Sequence, residues 1–170
     1  MAEETGQLLA VGQWALAEAC RQMARWQEQF RPDPPLFVSV NLSGRQLTHP
    51  DLSGRVREAL GESGLSPHSL QLEVTESVLA EGNETAFGLL ATLGVGLCID
   101  DFGAASSLLS GLHRLPASTL KVDRALIDAV AGDEESAKIV RALDLTTLWP
   151  LDYRMPVPLI DCYVNEAHPR

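Results

Sequence analysis

Cysteine is scarce in this 170-residue chain and badly spaced for chemistry. Cys20, Cys98 and Cys162 are odd in number, far apart and without CxxC spacing, so neither a disulfide framework nor a zinc site is expected. Buried free thiols are the reading that remains. Long apolar runs are missing too: nothing reaches the roughly 18 consecutive apolar residues of a transmembrane helix. The opening MAEETGQ is acidic and polar where a signal peptide would be basic and then apolar, so no membrane segment and a cytoplasmic location are expected. Positive charge is also short. With 13 Lys and Arg against 23 Asp and Glu, the net charge is −10, which argues against broad attraction to a nucleic-acid polymer or an anionic membrane surface. There is no internal repeat, no GxGxxG and no P-loop fingerprint. An acidic protein of this kind that handles a phosphate-bearing ligand needs localised cations or bound metal ions to overcome the repulsion.

What is present is an alternation of helical and strand-like segments. Residues 7 to 30 carry Leu8, Leu9, Trp14, Leu16, Cys20, Met23 and Trp26 among Glu, Gln and Arg, a spacing that predicts an amphipathic helix ended by RPDPP at 31 to 35. Trp14 and Trp26 are expected in the core or covering the sheet, because they lie on that helix. LFVSVNL at 36 to 42 reads as a short strand buried on both faces. A helix follows over 51 to 63, with Asp51 near its cap and Gly64 just past its end. SLQLEVTES at 69 to 77 reads as a strand of period two, 82 to 93 as helical, VGLCIDDF at 95 to 102 as a buried strand, 105 to 114 as a helix-like segment and STLKVD at 118 to 123 as a fourth strand. Residues 133 to 143 look helical again. From 144 onward the pattern is lost, and Pro150, Pro156, Pro158 and Pro169 exclude a continuous helix, so 1–143 is read as the domain and 144–170 as a divergent, loosely ordered tail.

Strands alternating with helices imply parallel pairing through right-handed crossovers, in an open doubly wound sheet or a barrel. Each strand carries polar residues near its C-terminal end: Asn41, Glu73, the pair Asp100 and Asp101, and Lys121. In parallel α/β folds these ends share one face, which in barrels holds the active site. Parity supports convergence, since Ser39 and Asn41, Gln71 and Glu73, Cys98 and Asp100, and Lys121 and Asp123 fall on the less apolar side of their strands. One Asn, one Glu and two Asp offer only oxygen donors, which suits Mg²⁺, Mn²⁺ or Ca²⁺. Two metal ions with a nearby lysine would make phosphodiester hydrolysis a coherent chemistry. The bland alternative has the two aspartates opening a loop, Glu73 solvated and Lys121 paired with Asp123 at the surface.

At these residues the sequence resembles a known family. AEETG at 2 to 6 with GQWALAEACRQ resembles the segment after the EAL signature of cyclic-di-GMP phosphodiesterase domains. SVNLS at 39 to 43, LEVTES at 72 to 77, IDDFG at 99 to 103 and RLPASTLKVDR at 114 to 124 are similar to the family's asparagine, glutamate, paired-aspartate and lysine motifs, in order and in register over residues 2 to 143. The resemblance implies a TIM-like (β/α) barrel, of which about four of eight parallel strands are present. It implies Asn41, Glu73, Asp100 and Asp101 as ligands of Mg²⁺ or Mn²⁺, Lys121 as the residue that positions the attacking water, and Glu76 as a brace for the loop after Asp101. The substrate it implies is cyclic di-GMP, opened to linear pGpG.

The departures weigh against activity. The chain is read as an internal fragment that starts after the EAL tripeptide, without that glutamate ligand, the nearby substrate-binding arginine and the first two strands. The EGVE and QGY motifs do not follow KIVRAL at 138 to 143, and DDFGAASSL at 100 to 108 replaces the usual DDFGTGYSS, in a loop expected to couple dimerisation to metal binding. Four strands of eight leave two edges and an uncovered interior face. Three readings follow: a domain inactive alone, an active phosphodiesterase completed by another chain or a dimer partner, and a non-enzymatic module that binds cyclic di-GMP or a partner protein. His49, His68 and His113 are expected to be structural or solvated. Arg45 either reaches a phosphate from the loop after Asn41 or faces solvent at a helix start.

Overall fold

The computed structural model of the chain describes residues 7–81, 83–103 and 115–123. The helix-like segment at 105 to 114, the helix expected at 133 to 143, the tail from 144, His113 and Cys162 lie outside the described residues.

The first element is helix α1, Gln7–Phe30, ended where the sequence turns to RPDPP. Its inward stripe is Leu16, Cys20 and Met23, a four-then-three spacing that holds one face of a helix, and all three are buried. Trp14 lies two residues from Leu16, on the far side of that stripe, and is 65% exposed; Trp26 is 43% exposed. The expectation of core tryptophans is therefore corrected. The buried stripe is too narrow to include them.

Strand β1 (Val38–Asn41) leads into a one-turn helix α2 (Gly44–Leu47) and then α3 (Leu52–Ser63). Helix α2 was foreseen only as the helix start in one reading of Arg45, although its start is written in the sequence: Ser43 and Gln46 form a reciprocal capping box. Helix α3 stops at Gly64, whose φ of 70° is the left-handed conformation that glycine adopts at least cost. A 3₁₀ turn at Pro67–Ser69 opens β2 (Leu70–Thr75), which ends two residues before the predicted limit because Glu76 and Ser77 enter the short helix α4 (Glu76–Ala80). Helix α5 (Glu84–Ala91), β3 (Gly96–Phe102) and β4 (Thr119–Val122) complete the described elements.

The four strands form one parallel sheet in the order β1-β2-β3-β4. Leu70, Leu72 and Val74 of β2 and Leu97 and Ile99 of β3 are essentially inaccessible to water and join Leu16, Val56, Leu60, Phe87 and Leu90 in a single core between the sheet and the helices. Each such side chain contributes about 1.5–3 kcal/mol on burial. Strand β1 departs from its expected burial on both faces: Ser39 and Asn41 are exposed, while Val38 and Val40 are half-buried against the core. Among the described residues β1 pairs only with β2, so it forms an edge.

Candidate metal centre

The register decides what the strand ends bring together. Asn41 stands opposite Glu73, and Glu73 opposite Cys98, so these three share the face of the sheet turned away from the helices. Glu73 is 5% exposed and Cys98 is fully buried there. Asn41 is exposed on its edge strand.

Adjacent residues of a strand normally face opposite ways, and Asp100 and Asp101 would then be separated by the sheet. A bulge prevents this. Ile99 pairs with Leu120 and Phe102 with Val122, so the two aspartates together stand against the single residue Lys121. Asp101 takes a φ of 55°, a left-handed conformation that is uncommon away from glycine, and its amide donates to Asp100 Oδ1 at 3.0 Å. The strain sits where the two carboxylates are gathered.

Lys121 Nζ donates to Glu73 Oε2 at 2.6 Å and lies 3.5 Å from Asp100 Oδ2. Its contacts run into the sheet face, where the bland reading put the ammonium at the surface. Burial opposes its charge, but the Glu73 hydrogen bond and the Glu73 and Asp100 carboxylates outweigh that and raise its pKa. Asp101 moves up as well, first through burial and then through its like-charged neighbours Asp100 and Asp123, with Lys121 acting against them. Cys98 is pushed up to about 12, by burial first and by Glu73 second, which keeps it a neutral thiol.

Glu76, predicted to brace the loop after Asp101, is 1% exposed and accepts a 2.8 Å hydrogen bond from the Gly103 amide through Oε2. Through that bond it holds backbone just after the bulge. Asp123 and Thr75, absent from the predicted set, border the cluster: Thr75 is in register with Asp100, and Asp123 adds negative charge beside Asp101. The signal for both was strand parity. Arg45 sits exposed in α2, and His49 is structural, accepting from the Asp51 amide at 3.1 Å.

The donor set is all oxygen and carries a surplus of negative charge, which fits a hard divalent cation. Among the described residues no three of His, Cys, Asp and Glu stand together as a ligand group; Glu73 and Asp100 are both engaged by Lys121.

A parallel α/β sheet with its polar cluster at the carboxyl ends of the strands is the arrangement shared by doubly wound sheets and TIM-like barrels. A model of the EAL domain family matches residues 1–146, and the chain belongs to that family. It is 44% identical over 146 residues to a bifunctional diguanylate cyclase/cyclic di-GMP phosphodiesterase, MucR of Pseudomonas aeruginosa, covering 84% of this chain and 21% of that protein. It is 36% identical to the oxygen sensor protein DosP of Escherichia coli, with 84% and 18% coverage. Among solved structures, a PaMucR phosphodiesterase in complex with c-di-GMP superposes with a TM-score of 0.72 at 42% identity, over 86% of this chain and 61% of that one. The EAL domain of Mycobacterium smegmatis DcpA gives 0.67 at 33%, over 79% and 61%. The chain thus spans about a fifth of these curated relatives' length. The letters Glu58-Ala59-Leu60 also spell the family's name, but they lie within α3, with Ala59 and Leu60 buried in the core and Glu58 exposed, away from this cluster.

Proposed function

We propose that this chain carries the EAL-type metal centre for cyclic di-GMP, with Asn41, Glu73, Asp100 and Asp101 as ligands of Mg²⁺ or Mn²⁺ and Lys121 beside them to position a water, and that it does not hydrolyse the dinucleotide alone. The observation that carries the reading is the β3 bulge, which gathers two aspartates against Lys121 in a sheet whose register adds Glu73 and Asn41. When bound, the metal polarises the phosphodiester and lowers the pKa of water. The protein's part is to hold the oxygen donors on three strands, to exclude bulk water around Glu73 and to keep a cation within reach of the same carboxylates. Inactivity is favoured because Lys121 engages Glu73 and Asp100, two of the proposed ligands, in the resting arrangement.

The test is binding and hydrolysis of cyclic di-GMP by the purified chain with Mn²⁺, beside an Asp100→Ala control. Binding of ligand or Mn²⁺ that is lost in the variant, without conversion to pGpG, is the expected result. Turnover that the substitution abolishes would overturn the inactivity; unchanged Mn²⁺ binding in the variant would overturn the ligand set.

A second reading, an active enzyme completed by another chain, is favoured by one observation. Ser39 and Asn41 are exposed on β1, an edge among the described residues, as though awaiting a neighbouring strand. Coexpression with a segment supplying further barrel strands would then restore Mn²⁺-dependent hydrolysis, which the first reading does not predict.

A further inference from the structure

The position of Lys121 carries an inference that rests on the metal-centre reading and goes beyond it. Its ammonium bonds to Glu73 and lies beside Asp100, two carboxylates assigned to the metal, and so stands where a positive ion is needed. Glu73 is almost wholly shielded from water, so its charge requires a close partner whether or not a metal is bound. Among the described residues no three acidic, imidazole or thiol groups are gathered as ligands in this arrangement.

We propose that Lys121 is the intramolecular stand-in for the divalent cation, so that metal loading and release of Lys121 are one exchange event. Glu73 and Asp100 give up the ammonium as they take the dication, and Lys121 becomes free to reach a water or phosphate oxygen only in the loaded protein. Atoms and charge balance: one lysine contact is traded for metal–oxygen bonds, and no proton need move. The arrangement keeps a buried carboxylate paired in the metal-free chain, lowers metal affinity by internal competition and places the lysine for its positioning role only when metal is present.

The chain has two lysines, Lys121 and Lys138, so a lysine-selective ¹³Cε label gives two resonances that a Lys138→Arg variant assigns. Adding Mg²⁺ to the labelled wild-type chain is expected to move the Lys121 resonance to the position it takes in metal-free Glu73→Gln, leaving Lys138 unchanged. In parallel, Lys121→Met is expected to bind Mn²⁺ about tenfold more tightly, with Lys121→Arg close to wild type. A stationary Lys121 resonance in a chain that binds Mg²⁺, or Lys121→Met with unchanged or weaker Mn²⁺ affinity, overturns the exchange alone, provided Glu73→Gln abolishes binding. If neither wild type nor Lys121→Met binds either ion, the metal-centre reading falls and the exchange falls with it.

Discussion

Glu76 shows how much one side chain can carry by holding backbone. Its carboxylate is buried and accepts from the Gly103 amide, just after the bulge that gathers Asp100 and Asp101. Glu76→Ala leaves that amide without its partner and is expected to cost about 1.5–3 kcal/mol in urea unfolding, with Mn²⁺ binding weakened as the loop shifts. Cys20 gives a prediction in pH. Burial pushes its thiol up to about 11 from the ordinary 9.0, so the folded chain holds this proton more tightly than the unfolded one. The unfolded state therefore binds fewer protons between those values, and stability falls as pH rises from about 9 to 11, with no effect of this group below that window. Urea midpoints across pH 8 to 11 should decline more steeply for the wild type than for Cys20→Ala.

At the scale of elements, helix α1 and the β3 bulge separate what the sequence showed from what it hid. The period of α1 was legible and its end at Phe30 was correct, yet the apolar list could not say which residues form the narrow inward stripe. Leu16→Ala is expected to cost about 2–5 kcal/mol, and Trp14→Ala, at an exposed position, no more than about 0.5 kcal/mol by the same far-UV unfolding curves. Parity along β1, β2 and β4 placed Asn41, Glu73 and Lys121 on one face before any coordinates, because a strand's period is fixed by its backbone. Parity fails at Asp101, where a bulge inserts a residue, and a bulge leaves little trace in one sequence beyond the oddity of two neighbouring aspartates both assigned to one site. The exposure of Ser39 and Asn41 on β1 was hidden for another reason, although sheet edges were expected: burial of a strand depends on neighbours far away in the chain. Asp101→Gly and Asp101→Ala remove the same charge, but only glycine relieves the φ of 55°. The glycine variant is expected to be more stable than the alanine variant by about 1 kcal/mol in metal-free thermal unfolding, with Mn²⁺ binding weakened in both.

For the whole molecule, the balance between the sheet's two faces sets the behaviour. The helical side is closed over Leu72, Ile99, Phe87 and their neighbours, whereas the other side narrows to a polar cluster and to Ser39 and Asn41 in contact with water. Strand β1 also presents an outer row of backbone groups that pairs with nothing among the described residues, and just before it stand Leu36, 45% exposed, and Phe37, 41% exposed. An apolar approach to an edge that is unpaired among the described residues favours strand addition by a second copy. The net charge of −10 opposes that association at long range, and salt screens the opposition within about 8–10 Å, so contact should strengthen as ionic strength rises. Light scattering behind size exclusion is expected to show mass growing with protein concentration, more at high salt than at low. Phe37→Lys, which charges the entrance to the edge while leaving the Lys121 cluster untouched, should return the chain to a single copy. A monodisperse wild type at every salt concentration would mean that this edge is already shielded. Strand addition at β1 would then be excluded as a mode of association.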